Sequence, residues 1–468
     1  DTPTPIQFGT YLGKGGTTRS GNTGDIVSPS AASDHKLGST GYEFGVIAFN
    51  HKEVWETART SATPNFMYNQ KVSYTDGTTW TYTPLKYWPN GKDGNNTDGS
   101  PSNTAEQDGT YGKYLSCFAY APYVDKSSAL TGTGITKINN ASEAIGSESS
   151  GNGNTKTDEP TVDYSLVSTS NGFLTSSNVD LLWGLRNKSQ YDLADGTDAA
   201  HTVGETYNTD LTKQNTTEKV SFLFKHALAK VGGSNGLKIV ADFDGNGVGE
   251  TGYGSKDATT LITVKSITIG NVANSVTTEG TFNLATGAWT ATNNGSIAAS
   301  TPVNLSFGDG TASTIAINND VLEPTAGNSY CPVWSTTNNR WETNNGSSAA
   351  SGTEFGGVTT TAKNVYSAAG DAIYLIPGQN DQNLTVTVGY VVRTYDGNLA
   401  VPSNEVSGCS KVEQTITNTV TLPASLLASN KYYTLVLHLG LTSVKFTAEV
   451  ADWDDAAAGA VEEVWLPS

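Results

Sequence analysis

The apolar residues of this chain come in short runs that alternate with polar ones, and glycine, proline, asparagine or serine closes each run. Half-buried strands need that period of two with turn chemistry at each end, whereas a helix needs a period of 3.6. The composition agrees, because glycine supplies 50 of 468 residues and only 15% are charged, so helix formers are scarce. The chain is read as all-β with long loops. At roughly 100–200 residues per domain it is long enough for two or three domains.

The balance of 27 Lys+Arg against 45 Asp+Glu leaves a net charge of −18, which argues against a nucleic-acid partner. Cys117, Cys331 and Cys409 are too few and too far apart for a disulfide framework or a zinc motif, and the default for such residues is a buried thiol. No apolar run approaches the roughly 18–20 residues that a membrane-spanning helix needs. The chain opens at Asp1 with no starting Met or signal sequence, which reads as a processed mature form.

Pro5–Leu12 reads as a first strand, with Ile6 and Phe8 on one face, followed by the Gly/Thr/Ser-rich link Gly13–Ser30. Between Tyr42 and Tyr123 the segments YEFGVIAFN, NFMYNQKVSY, TTWTYTPLKYWPN and SCFAYAPYV read as four strands, and NVDLLWGLRN as another. The Gly/Ser/Asn-rich inserts Gly132–Asp158 and Tyr191–Asn215 read as exposed loops. Lys219–Val231 has a helical composition, but Val220, Phe222 and Phe224 alternate as in a strand. It is read as leaving a first domain, 1–218, and opening a second, 219–468, with the GGSNG stretch as a hairpin turn into LKIVADF. The strands after it are TLITVKSITIGN, GTFNLATGAWT, PVNLSF, AIYLIPG, LTVTVGYVVRTYD and KYYTLVLHLGLTSVKFTAEVADW. A tail, 456–468, ends in VEEVWLP, with Val464 and Leu466 sharing a face.

Candidate chemistry is sparse. Gly232–Gly236 matches GxSxG but joins two strands, and Gly247–Gly252 matches GxGxxG with no helix after it, so both read as turns. Asp242, Asp244 and Asn246 before Gly247 place oxygen ligands as a Ca²⁺ loop does. Position twelve is Tyr253 rather than an acid, with Glu250 at position nine, so a structural Ca²⁺ stands against a solvated acidic hairpin. His35, His51, His201, His226 and His438 form no catalytic or zinc spacing, and no nucleophile or carboxylate pair stands in a proper context, so no enzyme and no other cofactor is expected. The nine tryptophans, among them Trp334 and Trp341, suit either a sandwich core or a platform for sugar rings.

FGVIAF, NFMYNQKVSY, TWTYTPLKYWPN with FAYAPY, VDLLW before VSFLFKHALAKV, GTFNLATGAW and YTLVLHLGLTSVKFTAEVADW occur in an order that resembles the Bacteroidales fimbrillin family, the FimA/Mfa-like type V pilins. The resemblance implies two tandem transthyretin-like Greek-key β-sandwiches, exported as an outer-membrane lipoprotein precursor and assembled into a cell-surface fimbrium that serves adhesion. It also implies a leading strand that an arginine-specific protease removes and a strand of another subunit replaces. Mapped onto this chain, Ile6 and Phe8 belong to the removable strand. Arg19-Ser20 is the processing site, since Arg19 is the only basic residue besides Lys14 between Asp1 and Ser33. Val461, Val464, Trp465 and Leu466 are the candidate donor residues; otherwise the tail pairs with the edge of its own domain. The implied partners are other fimbrial subunits, the protease and surface glycans or proteins, with membrane contact only through a lipid anchor on the precursor. The rival reading is a cell-surface adhesin or glycan-binding tip subunit that does not itself polymerise.

Overall fold

The computed structural model describes residues 4–11, 43–60, 64–74, 80–89, 112, 114–125, 134–138, 160–166, 178–186, 207–212, 219–232, 237–243, 257–272, 274–295, 321, 323, 332–344, 350–364, 372–378, 380–399, 408–440, 444–452 and 462–466. Strands make up 63% of these residues and helix 2%, so the regular structure is almost all β, as the sequence predicts. The chain divides into two compact units, the first comprising Asp1–Val167, Ser176–Leu228 and Glu279–Asn293 and the second the remainder.

In chain order the first unit holds β1 (Phe8–Tyr11), β2 (Phe44–His51), the short helix α1 (Trp55–Ala58), β3 (Met67–Tyr74), β4 (Trp80–Thr81) and β5 (Tyr114–Ala121). They are followed by β6 (Ile135–Ile138), β7 (Thr161–Ser165), β8 (Leu182–Arg186), β9 (Asn208–Leu211) and β10 (Val220–His226). The main sheet runs β1-β10-β8-β5-β2-β3-β4, with β9 against β5. Every residue of β2 is buried, which its unbroken FGVIAFNH run requires of a strand covered on both faces. The inserts Gly132–Asp158 and Tyr191–Asn215 are not wholly loop, because Ile135 and Ile138 of β6 and Leu211 of β9 are buried.

The second unit contains β11 (Ala229–Gly232), β12 (Leu237–Ala241) and β13 (Thr260–Asn271). The next two strands, β14 (Val276–Asn283) and β15 (Trp289–Gly295), join β7 and β6 in a four-stranded sheet. Most of this hairpin, 279–293, belongs to the first unit, where Trp289 Nε1 donates to Ala227 O at 2.7 Å. The second unit resumes with β16 (Val333–Ser335), β17 (Arg340–Asn344), β18 (Ala350–Glu354), β19 (Lys363–Asn364) and β20 (Ala372–Leu375). It closes with β21 (Gln382–Tyr395), β22 (Cys409–Leu422), β23 (Lys431–Leu439), β24 (Val444–Asp452) and β25 (Glu462–Trp465).

By contact the chain passes from the first unit to the second between Leu228 and Ala229, since β10 pairs along β8 inside the first sheet. The hairpin expected between β11 and β12 does not form, and Gly233–Gly236 lie outside the described residues. Both β11 and β12 run parallel to β23, Lys230 opposite Tyr432 and Leu237 opposite Leu435, so the pairing offset changes from 432 − 230 = 202 to 435 − 237 = 198. Since β24 pairs along the whole of β23, β11 and β12 form one interrupted course on the other edge, with four extra residues between them.

Candidate functional site: the seat of the leading strand

β1 is parallel to β10, with Phe8 opposite Val220 and Tyr11 opposite Leu223, and Val220 N–H donates to Gln7 O at 2.8 Å. The residues just before it are held from the other side. Ile6 N–H donates to Lys86 O at 2.9 Å, Trp88 N–H donates to Thr4 O at 3.1 Å, and Pro5 forms an antiparallel bridge with Tyr87. The leading strand therefore bridges β10 and the segment that follows β4, two pieces of the first unit that do not pair with each other in the sheet order.

Alternation decides which side chains fill the seat. Ile6 and Phe8 are each 1% exposed and belong to the core of the first unit, while Gln7 between them faces out. The Phe8 ring lies 5.3 Å from Tyr82, 6.0 Å from Phe222 and 6.4 Å from Phe44, centroid to centroid. Tyr82 Oη donates to Ile6 O at 2.8 Å and accepts from Lys86 N–H at 3.3 Å, so one hydroxyl ties the strand to the wall beside it. Burial raises the Tyr82 pKa, which keeps that hydroxyl protonated as a donor. At Gly9 the seat is tight: a Cβ there would stand 3.0 Å from Ser221 Oγ and 3.5 Å from Lys219 Cδ.

Burying each of these two apolar side chains contributes on the order of 1.5–3 kcal/mol. Each edge hydrogen bond adds about 0.5–1.5 kcal/mol. Removing the strand would expose Phe44, Tyr82 and Phe222 and leave backbone donors and acceptors unpaired on both sides, which is the condition that β-strand addition relieves. The second wall was missed in the sequence, where TTWTYTPLKYWPN reads as one strand. Among its described residues only Trp80–Thr81 is one, and Leu85 and Tyr87 of the wall are 54% and 48% exposed. The signal available was Pro84, which interrupts any strand pairing through that run.

The other predicted residues are not gathered at this seat. Arg19 and Ser20 lie outside the described residues, as does Val461. The tail strand β25 pairs antiparallel with β24, Ala448 opposite Val464 and Thr447 opposite Trp465, so in this chain it forms the edge of its own sheet, with Leu466 buried after it. Asp242 is buried and its N–H donates to Leu439 O at 3.0 Å, while Asp244, Asn246 and Glu250 lie outside the described residues. Among the described residues no three His, Cys, Asp or Glu side chains come together as a metal site would need.

Cys117 and Cys409 are buried thiols, and burial pushes the Cys117 thiol well above its ordinary range; Cys331 lies outside the described residues. His51 lies 2.8 Å from Ser116 Oγ, His438 lies 2.9 Å from Thr447 Oγ1 and His226 contacts Asp180, each buried in a packed setting. Trp55, Trp183, Trp289 and Trp341 are buried, and Trp334 stacks on Tyr395 with 5.1 Å between centroids. No described helix is long and apolar enough to cross a membrane.

A stretch of 94 residues is 31% identical to the fimbrium subunit Fim1C of Phocaeicola vulgatus, covering 20% of this chain and 19% of that relative's length. The crystal structure of a fimbrial protein from Bacteroides vulgatus aligns over 96% of this chain and 99% of that one, at 18% identity and a TM-score of 0.51, so the two share a fold. No family model matches the chain. Both likenesses bear out the resemblance to the Bacteroidales fimbrillins.

Proposed function

We propose that this chain, which resembles the Bacteroidales fimbrillins along its sequence and in its fold, is a structural subunit of a cell-surface fimbrium that serves adhesion and has no enzymatic activity. The observation that carries the reading is the leading strand, whose Ile6 and Phe8 fill the core of the first unit while the chain next to it runs into a glycine-rich link containing Arg19. Cleavage after Arg19 by an arginine-specific protease would free that strand, and a strand of another subunit would then restore both the apolar filling and the edge hydrogen bonds. β25 supports the tail as the piece given away, because an outer strand can leave without disturbing any strand beyond it. Donation of this kind joins unlike surfaces head to tail and does not close, so it builds a filament. The outer-membrane lipoprotein precursor belongs to the same proposal.

Limited trypsin digestion tests it, with intact mass, amino-terminal sequencing and unheated gel electrophoresis on the same samples. A cut after Arg19 is expected and, once other fimbrial subunits are mixed in, displacement of residues 1–19 and a ladder of heat-sensitive oligomers. Protein that is cut and loses its leading strand without any change in assembly state, alone or mixed with other fimbrial subunits, would sink the reading.

A further inference from the structure

The seat is more particular than an apolar trough. At the Ile6 position it takes a buried aliphatic side chain on a residue whose N–H reaches Lys86 O and whose carbonyl accepts from Tyr82 Oη. Two residues on, three rings surround a fourth, since Phe8 meets Tyr82, Phe222 and Phe44. The residue after that is held close, since a Cβ there would stand 3.0 Å from Ser221 Oγ, so a small residue fits best. The seat thus reads an aliphatic residue, any outward-facing residue, an aromatic residue and then, by preference, glycine.

The tail of this chain does not carry that pattern in either direction. Because strand side chains alternate, Val464 and Leu466 share a face that has no aromatic residue. On the opposite face Trp465 has Glu463 on one side and Pro467 on the other; the first would bury a carboxylate and the second has no N–H to give. In this chain an aliphatic residue, any residue, an aromatic residue and glycine occur together at Ile6–Gly9, Leu181–Gly184 and Leu305–Gly308, and not in the tail.

We propose that the seat selects its incoming strand by this pattern and so takes it from a different subunit rather than from the tail of a second copy. The proposal rests on the exchange reading above and adds to it the identity of the partner. Assembly through this seat is then heterotypic, and the tail of this chain enters a seat unlike its own.

The test uses the full chain with a site-specific protease sequence inserted after Arg19 and a fluorophore on the amine of Asp1. After a single cut the labelled leading piece stays seated, and its release by unlabelled ten-residue peptides is followed by anisotropy. Peptide 3–12 should release it. The same peptide with Phe8→Ala should be about 100-fold weaker or more, because a ring leaves the core. With Gly9→Val it should be roughly tenfold weaker, from overpacking against Ser221 and Lys219. Peptide 302–311, which carries Leu305, Phe307 and Gly308 in the same places, should compete within about tenfold of 3–12, and peptide 459–468 at least about 30-fold more weakly, since it offers no ring in register. Release by 3–12 together with equal competition from 459–468, or indifference to Phe8→Ala, overturns the selectivity alone; so does a 302–311 peptide no better than the tail. If even 3–12 releases nothing, strand exchange itself fails, and the proposal with it.

Discussion

Replacing Phe8 by alanine should destabilise the first unit and leave the second untouched. The ring is 1% exposed and contacts Tyr82, Phe222 and Phe44, so truncation removes a full core side chain and leaves a cavity bounded by three aromatics. Core Phe→Ala changes cost about 3–5 kcal/mol, a large share of the roughly 5–15 kcal/mol that holds a domain folded. A urea m-value near 3 kcal/mol/M, at the upper end of the usual range for small domains, turns that cost into a midpoint lowered by about 1–1.7 M. The assay is urea unfolding of the full chain followed by tryptophan fluorescence, fitted as two transitions because the chain has two units. Val388→Ala, in the buried face of β21, identifies the transition of the second unit. A Phe8→Ala midpoint within about 0.3 M of the parent, or a shift in the transition that Val388→Ala moves, would refute the idea that this strand completes the first core.

His438 is held at about 4, below its ordinary 6.5, first by burial and then by Lys445. Between those values the unfolded chain binds the proton and the folded one does not, so the second unit should lose stability as pH falls from 6.5 towards 4, with a slope approaching about 1.4 kcal/mol per pH unit. In urea titrations across that range His438→Gln should flatten the slope, and an unchanged slope would contradict the assignment. Arg393, 3% exposed, holds Glu323 through two hydrogen bonds of 2.6 Å, so Glu323→Ala should cost about 3–5 kcal/mol. Calorimetry would read this as a lower melting temperature of the second unit, and a shift under a degree would count against it. Cys117 and Cys409 should resist iodoacetamide until urea unfolds the chain, as peptide mass mapping would show; modification of either in buffer would mean that its burial is wrong.

Much of the strand content was legible because its signal is local. Val220, Phe222 and Phe224 alternate, and β10 is a strand despite a composition that suits a helix. The 14 residues of β22 escape a sequence reading because the face that carries Val412, Ile416, Val420 and Leu422 also carries Ser410, Gln414 and Asn418, so its apolar residues are too sparse to stand out. For the same reason Ile135 and Ile138 disappeared into a polar insert. The candidate site was half legible: Ile6 and Phe8 announced a buried face, but the partners that bury it did not.

Period, turn chemistry and charge are properties of neighbouring residues, so the sequence by itself determined an all-β chain, an acidic surface and a leading strand with an apolar face. Which strands lie beside which was decided only in three dimensions. Phe8 pairs with Val220 across most of the first unit's length, the residues just before β1 are held by an irregular segment, and β11 and β12 share one edge of β23 where the sequence suggested a hairpin. Backbone hydrogen bonds are the same for every residue, so an edge does not specify its partner. Register and pairing come instead from the side chains that must fill the same core, here Phe8 among Tyr82, Phe222 and Phe44, and that complementarity exists only once distant segments have met.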